Sequence, residues 1–186
     1  IVPFGFSYQY DGRNRVIKKK VPGADWVYIV YDPLDRIVLT QDGNLRDNMD
    51  KWLFTKYDVL GRPIMTGVYD NNGSNHADRT ALQAHVNSLS ILHESLETNL
   101  NHGYTNNAFP SHVGNVVHSV TYYDSYDFNR NGTDDRQYQA ESNLPSNSAN
   151  QWTRGMVTGI HQFILEDGGY STNLSQTDLW TTTFYD

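Results

Sequence analysis

Hydrophobic and polar positions alternate along the first third of the chain. The alternation is clearest in residues 4–11, where every second side chain is aromatic: Phe4, Phe6, Tyr8 and Tyr10. A period of two predicts a β-strand with one aromatic face. We predict antiparallel hairpins along residues 1–69 and, from them, a mainly β fold with a curved sheet.

Two of these hairpins can be assigned from the sequence. Val16–Val21 should pair with Trp26–Tyr31 across a Pro-Gly turn. Asp42-Gly43 follows Arg36–Thr40 and is typical of a two-residue hairpin turn.

The spacing becomes helical in residues 70–118, which we interpret as a loop–helix–loop insertion. Six apolar residues recur there every three or four positions: Leu82, Val86, Leu89, Leu92, Leu96 and Leu100. They predict one amphipathic helix at about Asp78–Glu97, with Asp78 as its N-cap. His85 and His93 lie near its apolar face but about 12 Å apart, too far to share a metal ion. We therefore expect both to be packed core histidines.

Residues 119–186 return to a β pattern. Strands are predicted at Val120–Tyr123, Val157–Leu165 and Leu179–Tyr185. A long polar loop, residues 125–151, separates the first two. Its part Ser142–Gln151 has few apolar anchors, so we expect it to be exposed and mobile.

One short pattern occurs three times: Tyr-Asp, two free positions, then Asn, Asp or Gly, then Arg. We call the copies turn 1 (Tyr10–Arg15), turn 2 (Tyr31–Arg36) and turn 3 (Tyr57–Arg62). The fifth position holds residues that tolerate a positive φ, which predicts a tight turn with a left-handed residue. The structural positions are Tyr10, Asp11, Arg15, Tyr31, Asp32, Arg36, Tyr57, Asp58, Gly61 and Arg62.

Each residue of the pattern has an expected role. The aspartate should accept hydrogen bonds from the turn amides. The arginine should reach a carboxylate or carbonyl on the next strand, with its stem lying over a tyrosine ring.

These copies resemble the YD-repeat of the Rhs and teneurin-like families, in which Tyr-Asp and Gly-Arg recur along large β-rich secreted proteins. Lys20–Met65 is similar to the version in Rhs-type proteins of Bacteroidetes, as are Tyr104–Pro110, Val120–Asp124 and Trp180–Asp186. The resemblance implies a strand-wound shell that encloses or presents another polypeptide, such as a toxin domain, and that has no catalytic residues. It also implies a secreted or cell-surface bacterial protein.

The ends of the sequence lead us to expect a piece of a longer chain. It begins at Ile1 and stops at Asp186, where a further turn would begin. The remainder of the parent YD-repeat chain would then be its first partner, and Leu179–Tyr185 would be an exposed strand edge.

Composition narrows the classes of function. The net charge of −7 argues against general nucleic-acid binding. The chain has no cysteine and no apolar run that could span a bilayer. Its 13 tyrosines and 4 tryptophans leave a carbohydrate- or surface-binding β module as an alternative, because exposed rings can stack on sugars.

The loop Asp127–Asp135 has the spacing of half a calcium-binding loop. Oxygen-bearing side chains stand at its first, third, fifth and ninth positions, with glycine at the sixth. They are Asp127, Asn129, Asn131 and Asp135. Tyr138 stands where such loops carry a bidentate glutamate, so an Asn-Gly turn is the competing interpretation.

Catalytic signatures do not emerge from the sequence. It contains no nucleophile elbow, phosphate-binding loop, zinc-protease motif or dinucleotide fingerprint. We therefore predict a non-enzymatic protein with no cofactor apart from the calcium candidate. A hydrolase whose site forms only in three dimensions is the further alternative.

Overall fold

The computed structural model of the protein describes residues 5–72, 76–98, 100–111, 116–136, 152–163 and 178–185. This part of the chain is mainly β, as predicted. Its strands are β1 Ser7–Tyr10, β2 Val16–Lys20, β3 Val27–Tyr31, β4 Ile37–Gln41, β5 Lys51–Tyr57, β6 Pro63–Asp70, β7 Val116–Tyr123, β8 Val157–Phe163 and β9 Asp178–Thr182. Its helices are α1 Gly43–Met49, α2 Arg79–Asn87 and a short 3-10 turn at Asn101–Gly103.

The strands form one sheet whose order follows the chain, from β1 to β9. Neighbours in sequence pair antiparallel, as in the register Lys18↔Tyr28 between β2 and β3. The predicted pairing of the second and third strands is confirmed. No helix in the described residues is long and apolar enough to cross a membrane.

The chain divides into two compact regions. Region 1 comprises residues 1–56, 67–92 and 107–116, and region 2 comprises residues 57–66, 93–106 and 117–186. The core of region 1 includes the fully buried Val30, Leu39 and Leu82, and that of region 2 includes Val120 and Tyr122. Each region therefore has its own hydrophobic core.

The predicted hairpin turn at Asp42-Gly43 is wrong. Asp42 is the N-cap of α1, and its carboxylate accepts a hydrogen bond from the Leu45 amide at 2.9 Å. The helix ends at Asp50, which has a left-handed backbone (φ 46°). Aspartate is favoured at helix N-caps as well as in turns, so the dipeptide did not discriminate between them. β4 and β5 still pair antiparallel across this longer connection.

The predicted helix at residues 78–97 is confirmed at its start and wrong in its length. Asp78 caps α2 and accepts from the Ala81 amide at 2.8 Å. The helix stops at Asn87, and Ser88 closes it through bonds to the His85 carbonyl. Beyond the helix, the backbone of Glu94 forms an isolated parallel β-bridge with the backbone of Asp58. This tertiary pairing outweighed the helical spacing of the leucines.

Of the two histidines predicted to pack in the core, one is partly buried and the other is exposed. His85 is half buried against His76 and Phe109, with ring centres 4.3 Å and 5.0 Å away. His93 is exposed, because the helix that would have buried it ends earlier.

Contacts with β3 explain where α2 lies. The Arg79 guanidinium donates to the Ile29 carbonyl at 2.7 Å. The Gln83 side chain accepts from the Tyr31 amide at 3.0 Å and donates to the Tyr31 carbonyl at 2.6 Å. Both side chains thus satisfy strand backbone groups, which would be costly to bury unpaired.

The polar loop 125–151 is described only as far as residue 136. Within that part, Tyr126 and Phe128 are buried, so these two residues anchor the beginning of the predicted polar loop. The predicted mobile stretch 142–151 and the end of the strand predicted at Val157–Leu165 lie outside the described residues.

Candidate functional site

The three repeated turns share one hydrogen-bonding scheme. In turn 3, one carboxylate oxygen of Asp58 accepts from the Leu60 and Arg62 amides at 2.9 Å and 2.8 Å. The other oxygen accepts from the Arg62 Nε at 2.6 Å. Turns 1 and 2 repeat these bonds at equivalent atoms, with distances of 2.7–3.0 Å.

The predicted left-handed residues are confirmed. Asn14, Asp35 and Gly61 have φ values of 60°, 63° and 78°. The local sequence therefore determines the turn, because the aspartate and the left-handed residue both belong to the same six-residue pattern.

The arginines make a second contact beyond their own turn, but its acceptor lies outside the strands and not on the next strand as predicted. Arg15 donates to the Asp35 carboxylate at 2.7 Å, and Arg36 donates to the Leu92 carbonyl at 2.6 Å. Arg62 binds both oxygens of Asp124, at 3.1 Å and 2.8 Å. These arginine side chains are only 14–23% exposed. They link each turn to a distant part of the chain.

Hydrogen bonds lower the pKa of two carboxylates at the turns, Asp11 and Asp124. Burial alone would raise the pKa of Asp11, but hydrogen bonds from Arg15 and the Arg13 amide outweigh it and lower the pKa to about 2. Hydrogen bonding to Arg62 lowers the pKa of Asp124 in the same way. The pKa of Arg62 is raised, first by its bonds to Asp124 and then by those to Asp58.

A tyrosine hydroxyl connects the end of one strand to the residue that follows the preceding turn. Tyr31 donates to the Val16 carbonyl at 2.8 Å, just after the arginine of turn 1. Tyr123 donates likewise to the Pro63 carbonyl at 2.9 Å, just after turn 3. The preceding arginine lies over the same ring, at 4.7 Å for Arg15 on Tyr31 and 4.2 Å for Arg62 on Tyr123. The link thus combines a hydrogen bond with a cation–π contact.

A fourth turn exists in two halves, which we call the split turn. The Asp124 amide donates to the Met156 carbonyl at 3.1 Å, as the Asp58 amide does to Arg62 in turn 3. Gly155 supplies the left-handed residue (φ 85°). The strand register also shifts at Tyr123, as it does at the tyrosines of turns 1 and 2.

Sequence reasoning missed the closing half of the split turn. The resemblance included Val120–Asp124, but Gly155-Met156 follows some thirty positions later and has no arginine. Asp124 therefore has no arginine of its own turn and binds Arg62 instead. The tyrosine link continues beyond it, since Tyr185 donates to the Val157 carbonyl at 2.8 Å.

The predicted calcium ligands lie in one loop and bond to its amides. The Asp127 carboxylate accepts from the Asn131 and Gly132 amides at 3.0 Å and 2.8 Å. Asp135 accepts from the Asn129 side-chain amide at 2.8 Å. Among the described residues no group of three or more acids or histidines could hold a metal ion. Calcium binding therefore stays a prediction.

Region 2 also contains a cleft of about 350 Å³. Its aromatic lining comes from β7, β8, β9 and the segment between the two halves of the split turn, residues 125–154, which we call the inserted segment and which is described at residues 125–136 and 152–154. These aromatic residues are Tyr122, Phe128, His161 and Trp180. Its polar lining comes from the same inserted segment: Asn129, Asp135 and Arg136. No sequence signal pointed to this cleft, because its residues come from separate parts of the chain.

Comparison with known proteins adds no assignment. No protein-family model matches the chain, and no curated protein matches it.

Proposed function

We propose that this chain is a non-enzymatic structural array of YD-type units, part of an Rhs-like shell that encloses or presents another polypeptide. The observation that supports it most is the recurring link between units. A tyrosine hydroxyl binds the carbonyl that follows the preceding turn in three places: Tyr31 to Val16, Tyr123 to Pro63 and Tyr185 to Val157.

The linkage suits a wall-building role. Each unit carries its own turn and offers the next unit a carbonyl, so units can be added without changing the join. The cations that join them are largely buried, which makes the join less sensitive to salt than a surface ion pair. The proposal includes a secreted or surface location in bacteria, the rest of a parent YD-repeat chain as partner, and an enclosed toxin domain as cargo.

Extending the array by one unit tests the proposal. Appending a copy of Val59–Asp70 after Asp186 completes a further Tyr-Asp-x-x-Gly-Arg turn with its returning strand. We expect the melting temperature to rise by roughly 2–4 °C for each kcal/mol that the new link contributes. The control is an appended segment of the same composition in scrambled order.

An extended chain that melts no higher than the scrambled control would contradict the array. Hydrolysis of a glycan or nucleic acid by the purified chain would contradict its lack of enzymatic activity.

A further inference from the structure

Phe128, which belongs to the inserted segment, packs against two glycines. A Cβ added to Gly159 of β8 would lie 2.5 Å from the Phe128 ring. A Cβ added to Gly103 would lie 2.1 Å from the Phe128 carbonyl oxygen, and Gly103 also has a positive φ of 67°. Phe128 therefore fits only because residues 103 and 159 have no side chain, and its position forms one wall of the cleft.

Trp180 provides a flat surface at the cleft. Its ring is nearly parallel to that of His161, at 13° and 3.9 Å between centres. It is also nearly parallel to Phe128 and Tyr122, with both centres 5.7 Å away. Trp180 itself is half buried, so part of its surface remains accessible beside this rigid stack. Such surfaces suit the apolar face of a sugar ring.

Polar groups of the inserted segment face the same cleft. Asp135 is held by the Phe128 amide at 2.7 Å and by the Asn129 side chain at 2.8 Å, so its carboxylate is oriented in advance. Arg136 lies with its guanidinium carbon 5.3 Å from the Trp180 ring centre. Within the described residues Arg136 makes this ring contact and no ion pair. A guanidinium with free donors is suited to a carboxylate.

We propose that this cleft binds a monosaccharide unit that carries a carboxylate, with the sugar ring against Trp180 and the carboxylate on Arg136. The volume lies within the range of small-ligand sites, and the lining combines rings with a few oriented polar groups. This binding goes beyond the shell role and does not depend on it.

Titration of the whole 186-residue chain with glucuronate tests the proposal. Two further ligands serve as controls: glucose has the sugar ring without the carboxylate, and benzoate has the carboxylate without the sugar ring. Calorimetry or ligand-observed NMR should give a Kd on the order of 1 mM for glucuronate. Glucose should bind about tenfold more weakly, since it lacks the charge-assisted hydrogen bonds.

Two arginine variants locate the binding. Arg136→Gln should weaken glucuronate binding about tenfold and bring it to the level of glucose. Arg154→Gln, an exposed arginine of the same inserted segment that does not line the cleft, should leave the Kd unchanged. Both side chains are exposed, so both variants should keep the parent melting temperature.

Three outcomes would overturn the proposal. They are no saturable glucuronate binding, equal loss of binding in both arginine variants, and benzoate binding as tight as that of glucuronate. The last would assign the cleft to planar aromatic acids. None of these outcomes bears on the added-unit experiment, which tests the array separately.

Discussion

Replacing Arg62 with glutamine should cause a large loss of stability. Its guanidinium donates to Asp58 at 2.6 Å and to both oxygens of Asp124 at 3.1 Å and 2.8 Å, and it lies over the Tyr123 ring. The side chains of Arg62, Asp58 and Asp124 are 23%, 9% and 33% exposed. Glutamine removes the cation and leaves two carboxylates without their main partner.

The magnitude follows from these contacts. Removing one partner of a buried ion pair costs about 3–5 kcal/mol, and a charge-assisted hydrogen bond contributes about 1.5–3 kcal/mol. Because Asp124 is a third exposed, its share is reduced by solvent screening. We therefore expect Arg62→Gln to lower the free energy of unfolding by about 2–4 kcal/mol.

The chain offers a matched control for this variant. Arg13 also binds a carboxylate, that of Asp35, at 2.8 Å, but the two side chains are 55% and 48% exposed. Arg13→Gln should therefore cost less than about 1 kcal/mol.

Urea denaturation of both variants measures the difference. In about 1 M salt the small effect of Arg13→Gln should disappear, while most of the Arg62→Gln effect should remain. The reasoning is refuted if the two variants lose the same free energy, or if salt removes both losses equally.

Three further predictions concern a turn, a histidine pair and the calcium candidate. Gly61→Val should cost about 1–3 kcal/mol in thermal or urea unfolding because φ there is positive, whereas Gly12→Val, at an open position without positive φ, should be nearly neutral. Burial, together with His76, lowers the pKa of His85, so as the pH falls the unfolded state binds a proton before the folded state does. The free energy of unfolding should therefore fall as the pH drops below about 6.5. Urea denaturation at several pH values should show a smaller dependence of this free energy on pH in His85→Gln. If the Asp127 loop binds calcium, the ion should raise the melting temperature and Asp127→Ala should abolish the rise; calorimetry without heat at millimolar calcium would exclude the site.

Features encoded within a few consecutive residues could be predicted from the sequence. The turns depend on an aspartate and a left-handed residue inside a six-residue pattern, and all three formed as expected. The period of two predicted the strands, and Asp78 predicted the start of α2. In the turns and at the helix cap the deciding contacts are local, so the short sequence pattern contains all the partners.

Tertiary contacts decided the remaining features. Asp42 could cap a helix or begin a hairpin; in the structure it caps α1, and Arg46 of this helix donates to the distant Trp26 carbonyl at 3.1 Å. The leucine spacing continues past Asn87, but the helix does not, and the backbone of Glu94 instead forms a β-bridge with that of Asp58.

The split turn and the cleft depend on the same kind of contact. The Asp124 amide donates to the Met156 carbonyl across the inserted segment, and the Trp180 ring lies beside that of Phe128, which packs against Gly159 of β8. Such contacts join residues that are far apart in sequence and leave no periodic signal. The sequence by itself therefore determined the repeated turns, and the tertiary structure decided which surfaces they bring together.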